Sequence, residues 1–296
     1  MRAELCALLL FASVLSAETV RPGDVVVVHT IGGTTTIAGA DVDSIANARR
    51  TSAHRIEVAG AAMIRVPRTA TIESVSSERA IVNVSDVAAL RVDATNGSVV
   101  ADRIRGNIDG KTITANLTAR DVGGNVIVST GNGNITAQRV RGLVDVTSGN
   151  GNTIVSQVGG GVHVTTINGK TGVACVAGAV TIKDTSGQVH LSSVSGDVDA
   201  FTALGKIEYA GALRADRSYR LRTLDGALTL EYAPDGAGFI AELASDAGQI
   251  ETEPPLRTRR KRAQVRAGDE RARVVLDAVG GRVTLLPLDE AVPRCP

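Results

Sequence analysis

The stretch GNVIVSTGNGNITAQRVRGLVDVTSGNGN, from Gly124 to Asn152, decides the fold of this chain. It contains the tetrapeptide GNGN twice, at positions 131–134 and again at 149–152. The two copies are 18 residues apart, and glycine recurs at the same interval well beyond this stretch. One set stands at positions 106, 124, 142, 160, 178 and 196, and a second set, offset by half a period, runs from 97 to 205. A constant period over this length predicts a solenoid, in which each period is one coil.

The repeat consists of nine-residue units of the approximate form G-x-V-x-V-x-x-V-x, such as GNITAQRVR. Apolar residues at the third and fifth positions point to one face of a strand, so each unit is predicted as a short strand followed by a turn. Two units form one 18-residue coil, and coils should stack about 4.8 Å apart. The sequence therefore predicts an all-β fold, a single-chain β-solenoid filled by small aliphatic side chains.

One corner of each coil carries asparagine followed by glycine. Both residues tolerate left-handed backbone angles, which suits a sharp corner, and stacked asparagine side chains can form a hydrogen-bonded ladder. A Gly-rich, Asn-rich loop could also cradle phosphate or calcium, but the period explains the repeated GNGN without a ligand. We therefore predict a structural turn ladder made of Asn96, Asn132, Asn150 and Asn168 with Gly97, Gly133, Gly151 and Gly169.

The N-terminal residues have the pattern of a secretory signal peptide. An arginine precedes an apolar run from Leu5 to Ala17, which ends in small residues and is too short to span a bilayer. We expect residues 1–17 to be a signal peptide cleaved after Ser16 or Ala17, and residues 18–296 to form one elongated solenoid domain. A buried N-terminal strand or helix is the alternative. The mature chain is expected in the periplasm, at the cell surface or outside the cell, with no transmembrane span.

The glycine period is strictest at 97–213 and loosens on both sides. Before it, strands still alternate, as in DVVVV and RIEVAG, and after it longer turns and insertions separate the strand motifs over 214–296. All aromatic residues of the mature chain lie beyond position 200. This predicts wider or capped coils toward the C-terminal end, because an end coil has to be covered to prevent edge pairing.

These features resemble a known family. The repeated T-x-G-x-h-x-h units, the segment YRLRTLDGALTLEYAPDGAGFIAELASDAGQIETE and the final GGRVTLLPL are similar to the bacterial β-strand-repeat proteins described as "putative adhesins". The resemblance covers most of the mature chain. It implies an exported β-solenoid with an adhesive or envelope role, and it brings no catalytic residues.

Two short motifs suggest small ligands but fit the repeat better. The segment NGKTG, at 168–172, contains the Gly-Lys-Thr of a phosphate-binding loop, yet a P-loop needs a helix after it and glycine where Val164 stands. The nine-residue period is also that of calcium-binding β-rolls, but those need a regular column of carboxylates to supply roughly six to eight oxygens. No acidic column follows the glycines, so we predict neither a metal nor a cofactor.

The histidines form no ligand set. His163 and His190 occupy outward positions one and a half coils apart, on opposite faces, so they cannot share a metal ion. An enzyme would need a polar column on one face, and Asp145 and His163 come nearest because they stand on adjacent rungs. Such a pair could serve a polysaccharide lyase or hydrolase. Since no Lys or Arg column, aromatic platform or nucleophile accompanies it, we expect a solvated strand face and no enzyme activity.

The segment RTRRKRAQVR follows two prolines and is typical of an exposed loop. It could dock on anionic lipid headgroups or acidic glycans, or it could be a solvated insertion between coils. A formal net charge of +1 gives no reason to expect nucleic-acid binding. The candidates for an anionic partner are Arg257, Arg259, Arg260, Lys261 and Arg262.

Two cysteines remain in the mature chain, Cys175 and Cys295. An oxidising compartment would allow them to pair. However, a linear stack of coils would hold their Cα atoms farther apart than the roughly 7 Å that a disulfide allows. The sequence therefore argues against an intramolecular bond.

Together these patterns predict an exported, non-enzymatic adhesin-like or cell-envelope module. Its flat polar faces would be presented to a protein, glycan or anionic lipid. A carbohydrate-active enzyme that uses one solenoid face is the alternative, and scaffolding without a dedicated ligand is a third option.

Overall fold

The computed structural model describes residues 16–59, 62–233, 236–253, 261–288 and 295. These residues form 23 β-strands in one continuous hydrogen-bonded sheet, and no helix occurs among them. The prediction of an all-β solenoid is confirmed. The strands are Ser16–Thr19 (β1), Val25–Ala40 (β2), Ser44–Ser52 (β3), Arg55–Ala59 (β4), Met63–Pro67 (β5), Thr71–Ser85 (β6), Ala89–Ile104 (β7), Ile108–Thr112 (β8), Asn116–Val122 (β9), Val126–Asn132 (β10), Ile135–Val140 (β11), Val144–Asn150 (β12), Thr153–Val158 (β13), Val162–Val176 (β14), Val180–Val194 (β15), Val198–Gly211 (β16), Ser218–Asp225 (β17), Leu228–Tyr232 (β18), Phe239–Ser245 (β19), Ile250–Thr252 (β20), Arg262–Ala267 (β21), Ala272–Gly280 (β22) and Val283–Pro287 (β23).

Successive coils lie parallel and in register. Val126 pairs with Val144, which holds the same position in the next coil, as the glycine period predicts. The same step already holds for Ala89, which pairs with Thr71, farther toward the N-terminus than the regular part predicted from glycine. The step lengthens at Val198, which pairs with Tyr219. In β14, β15 and β16 one strand bends through the Asn-Gly corner without interruption, so two nine-residue units share a single long strand.

The two halves of a coil bury their side chains by different rules. In β10, every second residue from Val126 to Thr130 points inward. In β11, Ala137 and Val140 are both buried although they are three residues apart. Between them Arg139 has a φ of 53°, and this left-handed residue turns the chain so that the next side chain again faces the core.

The left-handed position recurs once per coil and forms a corner that the sequence analysis did not predict. A non-glycine residue pays about 1–2 kcal/mol for this conformation, so the burial of the following aliphatic residue has to offset it. This left-handed residue forms a β-bulge. In the unit G-x-V-x-V-x-x-V-x, the bulge corresponds to the two residues that precede the last apolar position. The residues at the left-handed position are Arg103, Asp121, Arg139, Gln157, Cys175 and Ser193.

A column of small polar side chains lies inside the solenoid, next to the Asn-Gly corner. Thr112 donates a hydrogen bond to Thr130 of the next coil across 2.8 Å. Asp184 occupies the same column with a carboxylate where its neighbours carry hydroxyls. The buried members of the column are Thr112, Thr130, Ser148, Thr166, Asp184, Thr202 and Thr223.

The interior accepts aromatic side chains in the C-terminal coils. Tyr209 and Tyr219 are fully buried and pack edge to face, with ring centroids 5.2 Å apart. Tyr232 packs against Phe239 in the same way at 4.8 Å. The longer step between these coils provides the room that the narrow regular coils lack.

Both ends of the solenoid are closed by the same topology. At the N-terminal end β4 and β5 form the last coil, and β2 lies one coil further in, bonded to them on one edge and to β6 on the other. At the C-terminal end β19 and β20 form the last coil, and β22 and β23 are inserted between it and β17 and β18. Antiparallel strands cover both end coils, β3 on β4 and β21 on β19. The outer edges of β4 and β19 are thereby protected from pairing with other chains.

The predicted signal peptide falls almost wholly outside the described residues. Of residues 1–17, only Ser16 and Ala17 are described, and they begin β1, which pairs antiparallel with β3.

The argument against an intramolecular disulfide is wrong. Cys175 and Cys295 are bonded, with Cα atoms 5.4 Å apart. The strand ladder from β14 through β15, β16 and β18 to β23 contains four steps, or about 19 Å at the usual strand spacing. Cys295 follows Leu288 by seven positions, and that length of chain can span about 24 Å. The number of coils between two positions therefore does not exclude a bond to a cysteine that follows the last strand of the stack.

Candidate functional site

An open groove runs along the corner formed by the left-handed positions. Its volume is about 770 Å³, and it extends over successive coils from Asp86 to Gly159. Charged side chains dominate its lining, with four arginines and two aspartates. The charged lining residues are Asp86, Arg103, Arg105, Asp121, Arg139 and Arg141.

Four of these residues form two ion pairs between neighbouring coils. Arg103 donates two hydrogen bonds to Asp86, at 2.9 and 2.8 Å. Arg139 donates two to Asp121, at 2.6 and 2.7 Å. The hydrogen bonds from Arg103 and Arg139 lower the pKa values of Asp86 and Asp121, respectively, below the usual range of aspartate. Both carboxylates are therefore ionised and already neutralised at neutral pH.

The other two arginines have no such partner. Arg105 and Arg141 are exposed, and none of the ion pairs within the described ranges involves them. Gly123 occupies the rung between them. The backbone ladder holds this column in place, since Gly123 donates to Ile104 at 2.8 Å and Arg141 donates to Val122 at 2.9 Å. The groove thus offers two free guanidinium groups, which bind carboxylate, phosphate or sulfate.

The asparagine corner lies on a different edge of the coil. Asn168 donates to Asn150 at 2.8 Å, and Asn150 donates to Asn132 at 2.6 Å, so these side chains form a ladder. Asn96 lies at the corresponding corner of β7, but Thr114 takes the rung between it and Asn132. The glycines that follow are held by close packing: a Cβ on Gly97, Gly133, Gly151 or Gly169 would lie 2.0 to 2.2 Å from the carbonyl oxygen of the preceding coil.

A second asparagine column reinforces the same corner. Asn116 and Asn134 accept hydrogen bonds from the backbone N–H groups of Asn134 and Asn152 at 2.8 and 2.9 Å. Asn152 accepts one from Lys170 at 3.1 Å. The asparagine side chains of both columns form hydrogen bonds with neighbouring coils. The corner is therefore a structural element.

Asp145 and His163 stand on adjacent rungs, paired across β12 and β14. Their side chains do not meet within ion-pair distance. The imidazole Nε2 of His163 lies 3.5 Å from the hydroxyl of Thr165 on its own strand. His190 lies in the second half of β15, opposite Gly172, where its Nδ1 is 2.6 Å from Glu208. The two histidines are therefore not brought together.

The basic cluster is only partly described. Arg257, Arg259 and Arg260 lie outside the described residues. Lys261 donates to the backbone oxygen of Asp246, and Arg262 is exposed at the start of β21. Whether the five side chains share a surface stays a prediction.

Across the described ranges, no three His, Cys, Asp or Glu side chains lie close enough to hold a metal ion. Within the same ranges, no helix has the length and apolar character needed to cross a membrane.

Asp184 is a buried aspartate whose pKa is raised. It is only 3 % exposed, and neither carboxyl oxygen has a hydrogen bond of acceptable geometry. Burial raises its pKa from 3.8 to about 6, although the N–H groups of Ser186 and Thr185 and the hydroxyl of Thr202 favour the ionised form. This side chain points into the stack, so it cannot reach a substrate.

Sequence reasoning missed the groove. The signal was the pair of motifs RIRG at 103–106 and RVRG at 139–142, which lie two coils apart. Glycine and asparagine repeat from each coil to the next, whereas this charge pattern repeats only at every second coil and so is not part of the glycine period.

One family model matches most of this chain. The family model described as Toastrack DUF4097 matches residues 24–279. No curated protein matches the chain in sequence. A solved structure described as a "putative cell adhesion protein" from Clostridium sporogenes is similar at 10% identity, over 92% of this chain and 98% of that chain, with a TM-score of 0.19. Because the family model spans most of its length, the chain belongs to the Toastrack DUF4097 family.

Proposed function

We propose that this protein is an exported, non-enzymatic adhesin-like module of the cell envelope, which binds a partner through rigid polar faces. The observation that carries the proposal is the constant register of the coils. Because each coil repeats the one before it, outward side chains stand in straight rows about 4.8 Å apart. Such rows suit a partner that is itself long and regular.

The chemistry of the groove supports binding over catalysis. The groove is open to solvent, and its carboxylates are held ionised in two-pronged ion pairs. A general acid or base works best with a pKa near the operating pH, and these groups are shifted away from it. Asp184 has a pKa near neutrality but is enclosed by the core.

A carbohydrate-active enzyme is the second candidate, because Asp145 and His163 stand side by side. The contact of His163 with Thr165 speaks against a working Asp–His pair. Loss of a glycan-cleaving activity in an Asp145→Ala variant, with unchanged thermal stability, would favour the enzyme.

The test of the leading proposal is the location of the protein in its own cells. A tagged chain should be recovered in the envelope or the medium, and cross-linking in place should join it to a surface component. Leu9→Arg interrupts the apolar run and should hold the protein in the cytoplasm, whereas the matched Leu9→Ile variant should be exported. Recovery of the unaltered chain in the cytoplasm would refute the proposal.

A further inference from the structure

The groove contains arginine charge that the protein does not use internally. Asp86 and Asp121 are saturated by Arg103 and Arg139. Arg105 and Arg141 remain exposed in the same groove. Surface arginines with nearby acids usually fold down onto them, so the prior pairing of both acids keeps these two guanidinium groups available to an external anion.

The positions next to the free arginines in the stack are glycines, and the neighbouring backbone leaves no room there for a side chain. A Cβ on Gly123 would lie 2.1 Å from the carbonyl oxygen of Arg105, and one on Gly159 would lie 2.7 Å from that of Arg141. A larger residue at either position would force the coils apart. Since glycine carries no side chain, none projects into the groove from these two positions, and a bound polymer can lie close to the main chain beside each free arginine.

The spacing of the free arginines selects a repeating ligand. Arg105 and Arg141 are two coils apart, which corresponds to about 10 Å along the solenoid axis. Small anions can occupy only one of them at a time. A linear polymer that lies along the axis, with anionic groups separated by a similar distance, can engage both.

The lining of the groove distinguishes between anionic polymers. It contains no aromatic side chain, whereas binding of single-stranded nucleic acid relies on stacking of bases on aromatic rings. Its apolar lining residues, Ile104, Val122 and Val140, are buried in the core and cannot insert into a lipid surface. Two ionised aspartates among the arginines disfavour ligands with closely spaced charges. An acidic polysaccharide, with its charges separated by neutral sugar atoms, fits these properties best.

We propose that this groove binds an extended acidic polysaccharide, with Arg105 and Arg141 holding carboxylate or sulfate groups two coils apart. The inference rests on the proposed binding function and names the class of partner for it. Arg103 and Arg139 line the groove but are engaged in ion pairs. Arg105 and Arg141 bind the ligand.

The experiment measures binding of a hyaluronate hexamer (six sugars, with a carboxylate on every second one) to the purified chain by titration calorimetry. In the Arg105→Gln/Arg141→Gln variant the affinity should fall about tenfold, as two exposed charge pairs would predict. The control is Arg91→Gln/Arg220→Gln, which removes the same charge from exposed strand positions without ion pairs in the described residues and should bind normally. Thermal unfolding checks that both variants are folded.

Ligand length provides a second readout. For the hexamer, the losses from the two single variants should be coupled, because one polymer contacts both arginines. For monomeric glucuronate, no coupling is expected. Equal loss in the groove variant and the control, or no binding of the hexamer by the unaltered chain, would overturn the proposal.

Two further probes separate this site from other possibilities. A neutral hexasaccharide should not bind, and an oligonucleotide or phosphatidylglycerol vesicle that bound through the same arginines as tightly as the hexamer would also overturn it. If the hexamer binds as expected but the protein is found in the cytoplasm, the groove stands and the envelope function fails. If the protein is exported but the hexamer does not bind, only the groove is refuted.

Discussion

Asp184 provides the sharpest test of the energetics of this fold. Replacing it with threonine restores the hydroxyl that neighbouring coils carry in the same column, at Thr166 and Thr202. The pKa of Asp184 is raised from 3.8 to about 6, because burial removes water from the carboxylate. At about 1.4 kcal/mol per pKa unit, the ionised carboxylate costs the folded state about 3 kcal/mol above pH 7.

The sign of the pH dependence follows from the direction of the shift. A raised pKa means that the folded state holds this proton more tightly than the unfolded state, so the contribution is favourable in acid and is lost as pH rises from about 4 to 6. We therefore expect Asp184→Thr to have little effect near pH 4 and to raise the free energy of unfolding by about 3 kcal/mol at pH 8.

The assay is urea unfolding of both proteins between pH 4 and pH 8. The difference between the two curves removes contributions from other acids, such as Asp24, whose pKa is lowered to about 2 by its hydrogen bond with Arg50. The control Asp145→Thr changes an outward aspartate and should reproduce the slope of the unaltered protein. If the curves of the unaltered protein and Asp184→Thr run parallel across the whole range, the reasoning about the buried carboxylate is refuted.

Two further predictions concern the backbone corner and the disulfide. Gly169→Ala should destabilise the fold by at least about 2 kcal/mol, because its φ is +138° and a Cβ would meet the Gly151 carbonyl oxygen at 2.0 Å; Gly172→Ala, with nothing within 4 Å, should be neutral, and similar melting temperatures of the two variants would contradict the argument. Cys175→Ser should lower stability by up to about 5 kcal/mol, since the bond to Cys295 closes a loop with a sequence separation of 120. Reducing agent should lower the melting temperature of the unaltered protein alone, and equal sensitivity of both would count against the bond.

The period and the Asn-Gly corner could be predicted from the sequence because they are local. Each coil must repeat its neighbour to keep its hydrogen bonds. Glycine therefore recurs at the position where two backbones approach closely, as at Gly151 and Gly169. The bulge at Arg139 could not be recognised by residue type, because arginine, aspartate, glutamine and cysteine all occupy that position. Only the spacing of the buried Ala137 and Val140 records it.

The end coils and the disulfide could not be predicted because they depend on distant pairing. The alternating residues of β2 are compatible with an outermost strand or an inserted one, and only its pairing with both β4 and β6 distinguishes these. The groove depends on Arg105 and Arg141, which become neighbours only through the stacking of coils. Individually they read as ordinary surface charges.

The inserted end strands have a mechanical consequence. In a solenoid that ends on its terminal strand, tension on that terminus can peel one ladder of hydrogen bonds at a time. Here β2 is bonded along both edges, so pulling it out has to break two ladders together. At the other terminus the bond between Cys295 and Cys175 passes tension directly into β14, which relieves the four coil steps between β14 and β23 of the load. Tension applied at either end therefore meets paired ladders or a covalent bond before the regular coils can open.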